Sequence, residues 1–379
     1  MNNYLRKMLC LLLLGVLLLA GTAGSLRQNT EAAGKSADSY VESQLALKHT
    51  LRFGEDGKFK ILIFSDVQDS YPLNDELVDN MNKLLDHEQP DLVLLAGDNH
   101  CGGSSVAGES RMTTYLTAMC EPMESRHIPW AQIYGNHVEG GYGYDLGFSK
   151  ENQQRIFESF PYNVSKAGNV YGLGNYVLPI LRSDSDKIAF NVFMLDSHSY
   201  LYHYRDGIED KVLLRHEKDG EMVSGNMIYS GNTYDVVHME QIKWYWDTSV
   251  ALEKYNGSKI AAMILLHIPL YEWNYVLKNK NECGTTGKQG DPISSPEANS
   301  GLFQACYERG DVNAIICGHD HLNDFDGKYM GITLAYTPTI GAPIPNYLDK
   351  SITGARIVEI DQNDPFNFVT YMVHAKDLR

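Results

Sequence analysis

From residue 59 onwards, short apolar runs alternate with segments in which apolar residues recur at helical spacing. Phe59–Phe64 and Asp91–Ala96 are nearly continuous apolar runs, which are typical of buried strands. Asn74–His87 has the helical repeat, and Pro90 ends it. The same alternation predicts strands at Ile128–Tyr134, Val170–Leu173, Ile188–Leu195, Lys259–Leu266, Val312–Cys317 and Ile332–Thr337, and helices at Ser110–Arg126, Asn152–Glu158, Met239–Tyr255 and Ser300–Glu308.

This order of elements predicts an α/β fold in which parallel strands are joined by right-handed crossovers. The C-terminal part, Ile352–Ala375, instead has the pattern of antiparallel strands around a turn at Asp361–Asn367. Ser197–Val237 has weak periodicity, so we expect a long loop there. No linker interrupts residues 51–379, which we therefore interpret as one domain.

The N-terminus has the pattern of an export signal. Arg6 and Lys7 precede an apolar run, Met8–Ala20, and small residues follow it. We interpret residues 1–24 as a signal peptide, with an uncleaved anchor as the alternative, and the polar residues 25–50 as a linker. The protein is then expected to be secreted or at the cell surface, with membrane contact only through an uncleaved N-terminal segment.

Composition narrows the class of partner. The 379 residues carry a net charge of −16, so a nucleic-acid partner is not expected. An anion could still bind at a metal ion, because the ion reverses the local field. Five cysteines follow the N-terminal segment without regular spacing, which is no disulfide framework. One bridge remains open, for example Cys101 with Cys120 or Cys283 with Cys306.

Polar side chains follow five of the predicted strands. Because ligand sites in open α/β sheets form beyond the carboxyl ends of the strands, we expect these side chains to converge. Carboxylate, amide and imidazole groups in this mixture suit Zn, Mn or Fe. The five strand ends are Asp66-Val67-Gln68, Gly97-Asp98, Gly135-Asn136-His137, His267 and Gly318-His319-Asp320-His321.

Each of these residues has a simpler explanation when it is taken alone. A histidine after a strand, such as His267, is more often a hydrogen-bonded loop residue than a ligand. Asp66 or Asn136 could cap the helix that follows it. Capping does not explain all five strand ends together, which favours the metal site.

The ordered set resembles the calcineurin-like metallophosphoesterases, whose pattern is D-x-H, G-D, G-N-H, a single H and G-H-x-H. Within that family it is most similar to a compact purple-acid-phosphatase-like branch. The resemblance implies a four-layer αββα sandwich with two mixed β-sheets and a centre of two metal ions. It also implies that Asp98 bridges both metals, that Asp66 and His321 hold the first, that Asn136, His267 and His319 hold the second, and that His137 is catalytic.

Two positions depart from the family pattern. Gln68 replaces the histidine of the first block, and an amide oxygen is a weaker ligand than imidazole, so Gln68 is expected to make a weak or water-mediated metal contact. Cys101 stands where the purple acid phosphatases have a tyrosine ligand, so an iron–tyrosinate bond is not expected.

The resemblance implies a hydrolase that cleaves phosphate monoesters of small molecules with a metal-activated hydroxide. A phosphodiesterase on the same two-metal centre is the alternative, since the family includes both. A non-catalytic binding protein on the same scaffold is a third hypothesis. Loss of several ligands would favour it, whereas here only one ligand of the first block is altered, at Gln68. Oligomeric state is not predicted.

Overall fold

The computed structural model describes residues 39–138, 146–199, 215–218, 221–224, 234–341 and 350–378. The chain divides into two compact units, residues 1–46 and residues 47–379. In the first unit, residues 39–45 form helix α1, within the segment expected to be a linker. Residues 1–24, the expected signal segment, lie outside the described residues. Among the helices that are described, none has the length and apolar character needed to cross a membrane.

The second unit contains a five-stranded mixed sheet with the strand order β14-β13-β2-β3-β4. Strands β2, β3 and β4 run parallel to one another, whereas β13 is antiparallel to both β2 and β14. The strands are β2 (Lys58–Phe64), β3 (Leu92–Leu95), β4 (Trp130–Gln132), β13 (Gly354–Asp361) and β14 (Val369–His374).

A seven-stranded mixed sheet has the order β1-β5-β6-β9-β10-β12-β11. Its centre, β6, β9, β10 and β12, is parallel, and β5 and β11 pair antiparallel with their neighbours. The strands are β1 (Leu51–Arg52), β5 (Tyr176–Leu181), β6 (Ile188–Met194), β9 (Ala261–Leu265), β10 (Val312–Cys317), β11 (Asp326–Tyr329) and β12 (Ile332–Tyr336); a separate hairpin pairs β7 (Arg215–Lys218) with β8 (Glu221–Ser224).

Alternating side chains place the two sheets face to face with helices outside them. Ile61 and Ile63 of β2 pack in one core with residues of the seven-stranded sheet, whereas Leu62 and Phe64 pack with helices. On the far side, Phe193 contacts aromatic residues of α5. The layers are therefore αββα, as predicted. The helices are α2 (Asp75–Glu88), α3 (Glu109–Glu124), α4 (Lys150–Ser159), α5 (Met239–Asn256), α6 (Trp273–Lys278) and α7 (Leu302–Arg309).

The strand predicted at Val170–Leu173 is wrong. That segment is a series of bends, and the strand begins six residues later, at Tyr176. The physical reason is that Gly172 and Gly174 have φ of 89° and 91°, a left-handed conformation that breaks an extended strand. The five described cysteines are all free, so neither of the two disulfides left open by the sequence forms.

Candidate metal centre

The strand exits that carry the polar residues have unusual backbone conformations. Asp66, Asp98 and His319 have φ of 50°, 45° and 78°, and Gln68 has φ of 30°. Non-glycine residues in this left-handed region cost on the order of 1–3 kcal/mol each and persist where the surroundings fix them. The concentration of four such residues at one place indicates that the fold holds these side chains in a particular arrangement.

Glycine lets the two sheets approach each other at this edge. A Cβ atom at Gly97 would lie 2.6 Å from Nδ1 of His267, and one at Gly318 would lie 1.8 Å from Oγ of Ser65. A Cβ atom at Gly135 would lie 2.2 Å from Oδ1 of Asp98. Any larger residue at these positions would therefore displace a side chain of the site.

Asp98 lies at the centre of the group. Its Oδ2 atom is 3.2 Å from Nε2 of His267 and 3.8 Å from Nε2 of His137. The same oxygen accepts a hydrogen bond of 2.7 Å from Nε2 of Gln68. Its other oxygen, Oδ1, accepts the backbone N–H of His137 at 2.9 Å. One buried carboxylate thus contacts residues from three of the five strand ends.

Asp66 is fully buried, and only one of its two carboxylate oxygens accepts hydrogen bonds. Its Oδ2 atom accepts hydrogen bonds from Oγ of Ser65 at 2.6 Å and from the backbone N–H of His319 at 3.0 Å. Its Oδ1 atom lies 3.5 Å from Nε2 of His321 and 4.0 Å from Nε2 of His267. That oxygen accepts no hydrogen bond from the residues that the structure describes. A buried carboxylate oxygen without a hydrogen bond is costly, and a bound cation would satisfy it.

His267 is held in one orientation by its surroundings. Because Nδ1 faces the backbone carbonyl of Ala96 at 2.8 Å, that nitrogen must donate. This leaves Nε2 to face Asp98 and Oδ1 of Asn136, which is 3.2 Å away. Backbone carbonyls commonly orient metal-binding histidines in this way. The hydroxyl of Ser197 also accepts the backbone N–H groups of His267, at 3.2 Å, and of Ile268.

The pKa shifts indicate that the electrostatic potential at the site is negative. Burial raises the pKa of Asp98, but the attraction of His267 and His137 outweighs burial and holds that pKa well below its usual value. Burial lowers the pKa of His267, but Asp98 and Asp66 raise it to about 9. Burial and the neighbouring His267 hold the pKa of His319 well below its usual value, which leaves a neutral ring with a lone pair. The site therefore stabilises positive charge and retains an imidazole able to bind it.

The residues present fit a metal ion. Ligand atoms of Asp98, His267 and His319 lie within 4.8 Å of one another. Nε2 of His319 has no hydrogen-bond partner among the described residues, although it is buried. Oxygen and imidazole donors in this combination suit Zn, Mn or Fe, as the sequence indicated.

The structure brings every proposed site residue to this edge of the two sheets, Gln68 included, whose weak or water-mediated metal contact stays a prediction. The amide nitrogen of Gln68, which cannot bind a metal, faces Asp98. His100 and Asp69, the other polar residues nearby, are occupied elsewhere. His100 uses both ring nitrogens in hydrogen bonds, and the Asp69 carboxylate accepts the backbone N–H groups of Ser70 and Asn74.

Two further residues contact the site without having been indicated by a sequence pattern. Ser197 follows β6 and supports His267 as described above. Tyr234 packs its ring edge-on against His319, with 4.6 Å between ring centroids. Strand β6 pairs in parallel with β9, so a polar residue just after it could have been predicted to join the site. Tyr234 lies in the segment with weak periodicity, where the sequence gives no such signal.

The family model for calcineurin-like phosphoesterases matches residues 59–323. The chain belongs to this family. Among curated relatives of this phosphoesterase, "Probable inactive purple acid phosphatase 14" of Arabidopsis thaliana is 29% identical and covers 78% of this chain and 73% of its own length. "Phosphatase DCR2" of Saccharomyces cerevisiae is 26% identical and covers 72% of this chain and 45% of its own length.

Among solved structures, a dimetal phosphatase from Danio rerio is 13% identical, with a TM-score of 0.49. It covers 84% of this chain and 96% of its own length. The family match and the named relatives confirm the predicted phosphoesterase family and its purple-acid-phosphatase-like branch.

Proposed function

We propose that this phosphoesterase hydrolyses phosphate monoesters of small molecules at a centre of two metal ions. The observation that carries the proposal is the convergence of two buried carboxylates with three imidazoles, in which Oδ1 of Asp66 accepts no hydrogen bond from a described residue. A buried carboxylate without a partner is costly unless a cation binds it. A structural ion-pair cluster would instead satisfy this oxygen.

The assignment of the ligands is the one that the family resemblance implies, and contacts between the residues support it. Asp98 contacts residues on both sides of the group, so we assign it to both metals. Asp66 and His321 face each other at 3.5 Å and form the first site. The second site is formed by Asn136, His267 and His319.

When bound, the metals polarise the phosphoryl group and lower the pKa of water toward about 7. The protein's own contribution is to hold and protonate the substrate. His137 has its backbone N–H fixed by Asp98, and its side chain is 10% exposed, so it can reach both the centre and the solvent side. We assign it to protonate the departing oxygen.

A second candidate function is binding without turnover. The Arabidopsis relative carries the words "Probable inactive" in its name, and in this chain Gln68 donates a hydrogen bond to the carboxylate that the metals would share. A phosphodiesterase on the same centre is a third candidate, because the loops around the metals decide how many ester groups fit.

One experiment separates these functions. We expect metal-loaded protein to contain two metal ions per chain by elemental analysis, because the ligands fall into two groups around Asp98. We also expect it to cleave p-nitrophenyl phosphate faster than bis(p-nitrophenyl) phosphate. The opposite preference would indicate a diesterase. Bound metal without turnover of either substrate would indicate a binding protein, and one ion or none per chain would contradict the two-metal centre.

The remaining partners and the location are also proposals. The net charge of −16 argues for a small phosphorylated substrate rather than nucleic acid. Export rests on Arg6, Lys7 and the apolar run after them. We expect N-terminal sequencing of the mature protein to begin near residue 25. A mature protein that begins at Met1 and is found in the cytosol would contradict export.

A further inference from the structure

Side chains join the loop after β3 to the loop after β4, next to the metal centre. Nδ2 of Asn99 donates to the carbonyl of Ile133 at 3.0 Å. Nε2 of His100 lies 3.0 Å from Oε1 of Gln153, in the first turn of α4. Nε2 of Gln153 donates to the carbonyl of Val138 at 2.5 Å. Val138 directly follows His137, so these bonds reach the residue assigned to protonate the leaving group.

The hydrogen bonds of His100 and Gln153 form a chain with one direction. The backbone N–H of Gly102 donates to Nδ1 of His100 at 3.1 Å, so Nδ1 is the acceptor. The proton of the neutral ring is then on Nε2, which donates to Oε1 of Gln153. This sets the orientation of the amide, and its NH₂ group faces the Val138 carbonyl. In this series of hydrogen bonds, each side-chain atom is therefore fixed as a donor or as an acceptor by its neighbours.

The result is a backbone held on both sides of His137. The backbone N–H of His137 donates to Asp98 at 2.9 Å, and the carbonyl of the following residue, Val138, accepts a hydrogen bond from Gln153. His100 and Gln153 are 2% and 1% exposed, so water does not compete for these bonds. We propose that Gln153, oriented by His100, is a positioning residue that sets where the His137 imidazole lies over the metal centre.

This inference rests on the proposed function, but it concerns a different step. Gln153 touches none of the proposed metal ligands through a hydrogen bond that the structure describes. Its loss should therefore leave metal binding intact and impair proton transfer to the leaving group. A misplacement of a catalytic group by about 1 Å can cost up to about 100-fold in rate.

The test replaces Gln153 by leucine or methionine, which fill a similar volume without a donor or acceptor. With phenyl phosphate, whose leaving group needs a proton, we expect kcat to fall about tenfold or more. With p-nitrophenyl phosphate, whose leaving group departs as a stable anion, we expect a much smaller fall. Metal content should match that of the unmodified protein. An equal fall with both substrates, or loss of metal, would overturn the positioning role.

Gln154 provides a matched control. It is the next residue of α4 and is similarly buried, at 3% exposure. Its amide binds elsewhere, since Oε1 accepts from the hydroxyl of Tyr134 at 2.6 Å and Nε2 donates to Glu158 at 2.8 Å. Gln154→Leu should lose comparable stability in thermal unfolding and keep the ratio of the two rates. A changed ratio in this variant too would show that general loosening of α4 is the cause.

A readout without turnover separates this inference from the proposed function. In protein with ¹⁵N-labelled histidine, the His137 ring signals can be assigned by their absence in His137→Ala. We expect them to shift or broaden in both Gln153 variants and to stay unchanged in Gln154→Leu. If the unmodified protein hydrolyses no phosphate ester, the proposed function fails, and these signals still decide the positioning role. Unchanged His137 signals in the Gln153 variants would overturn it.

Discussion

Replacing Asp98 by alanine is expected to remove metal from both halves of the centre and to abolish turnover. Asp98 faces residues on both sides of the centre, through Gln68 at 2.7 Å and His267 at 3.2 Å. Without it, two close cations lose the negative charge that they share. Because the metals supply several kcal/mol, we expect turnover to fall on the order of a thousandfold or more. Elemental analysis and p-nitrophenyl phosphate assays measure both effects.

His137→Ala is the informative contrast. His137 lies 3.8 Å from Asp98 through Nε2, but we assign it to proton transfer rather than to metal binding. The rate should fall about 10²–10⁴-fold, the usual contribution of a general acid, while metal content stays near that of the unmodified protein. Near-normal activity of Asp98→Ala would show that the ligand assignment is wrong. Loss of both metals in His137→Ala would make His137 a ligand.

The strands that carry the site were predictable because their sequence signals are local. Val312–Cys317 is apolar except for Asn313 and is followed by Gly318, and the observed strand has the same bounds. The strand Ile188–Met194 ends one residue before the predicted end. In parallel strands of one sheet the exits lie at one edge, so the proximity of Asp66 and Asp98 follows from topology once the strands are known. His267 follows a strand of the other sheet and joins them because the two sheets pack face to face.

The strands that were not predicted correctly depend on tertiary contacts. Strand β5 contains Pro179, which argues against a strand when the sequence is considered alone. The structure tolerates it because β1 pairs only with Ile180 and Leu181, so no partner on that side needs an N–H from Pro179. The hairpin β7–β8 and strand β11 were also not predicted; Asp326–Tyr329 has no apolar run and is held by pairing with β12.

The hydrogen bonds that support the site could not be predicted from the sequence either. His100 and Gln153 are 53 positions apart, and nothing in the sequence links a histidine after one strand to a glutamine in a later helix. The orientation of Gln68 was hidden for a different reason. A ligand pattern names the residue type at a position, whereas the atom that faces the site depends on the hydrogen bonds around it.

Gln68 leads to the second large prediction, that the first metal site is the weaker one. An amide oxygen is less basic than an imidazole nitrogen, and here the amide nitrogen faces Oδ2 of Asp98 at 2.7 Å. A metal at the first site must therefore displace this hydrogen bond or turn the amide around. Asp69 and His100 cannot replace the missing ligand, because their polar atoms are already bound to other groups.

Gln68→His is expected to tighten the weaker of two metal dissociation constants and to leave the stronger one unchanged. We expect at least about a tenfold change, since even the partners that only orient metal ligands typically contribute 10–100-fold in affinity. Metal titrations of both proteins at matched pH and buffer measure the two constants. The gain should appear without any substrate, so it is independent of the proposed catalysis.

Gln68→Met separates a gained ligand from a lost hydrogen bond. Methionine removes the amide that binds Asp98 but adds no imidazole, and Gln68 is only 6% exposed, so its size must be conserved. If the amide merely competes with the metal for Asp98, both variants should tighten the weaker site alike. If the imidazole binds the metal, only Gln68→His should tighten it. An unchanged weaker constant in Gln68→His would mean that position 68 does not face the first metal, and the assignment of Asp66 and His321 as its remaining ligands would then need another partner.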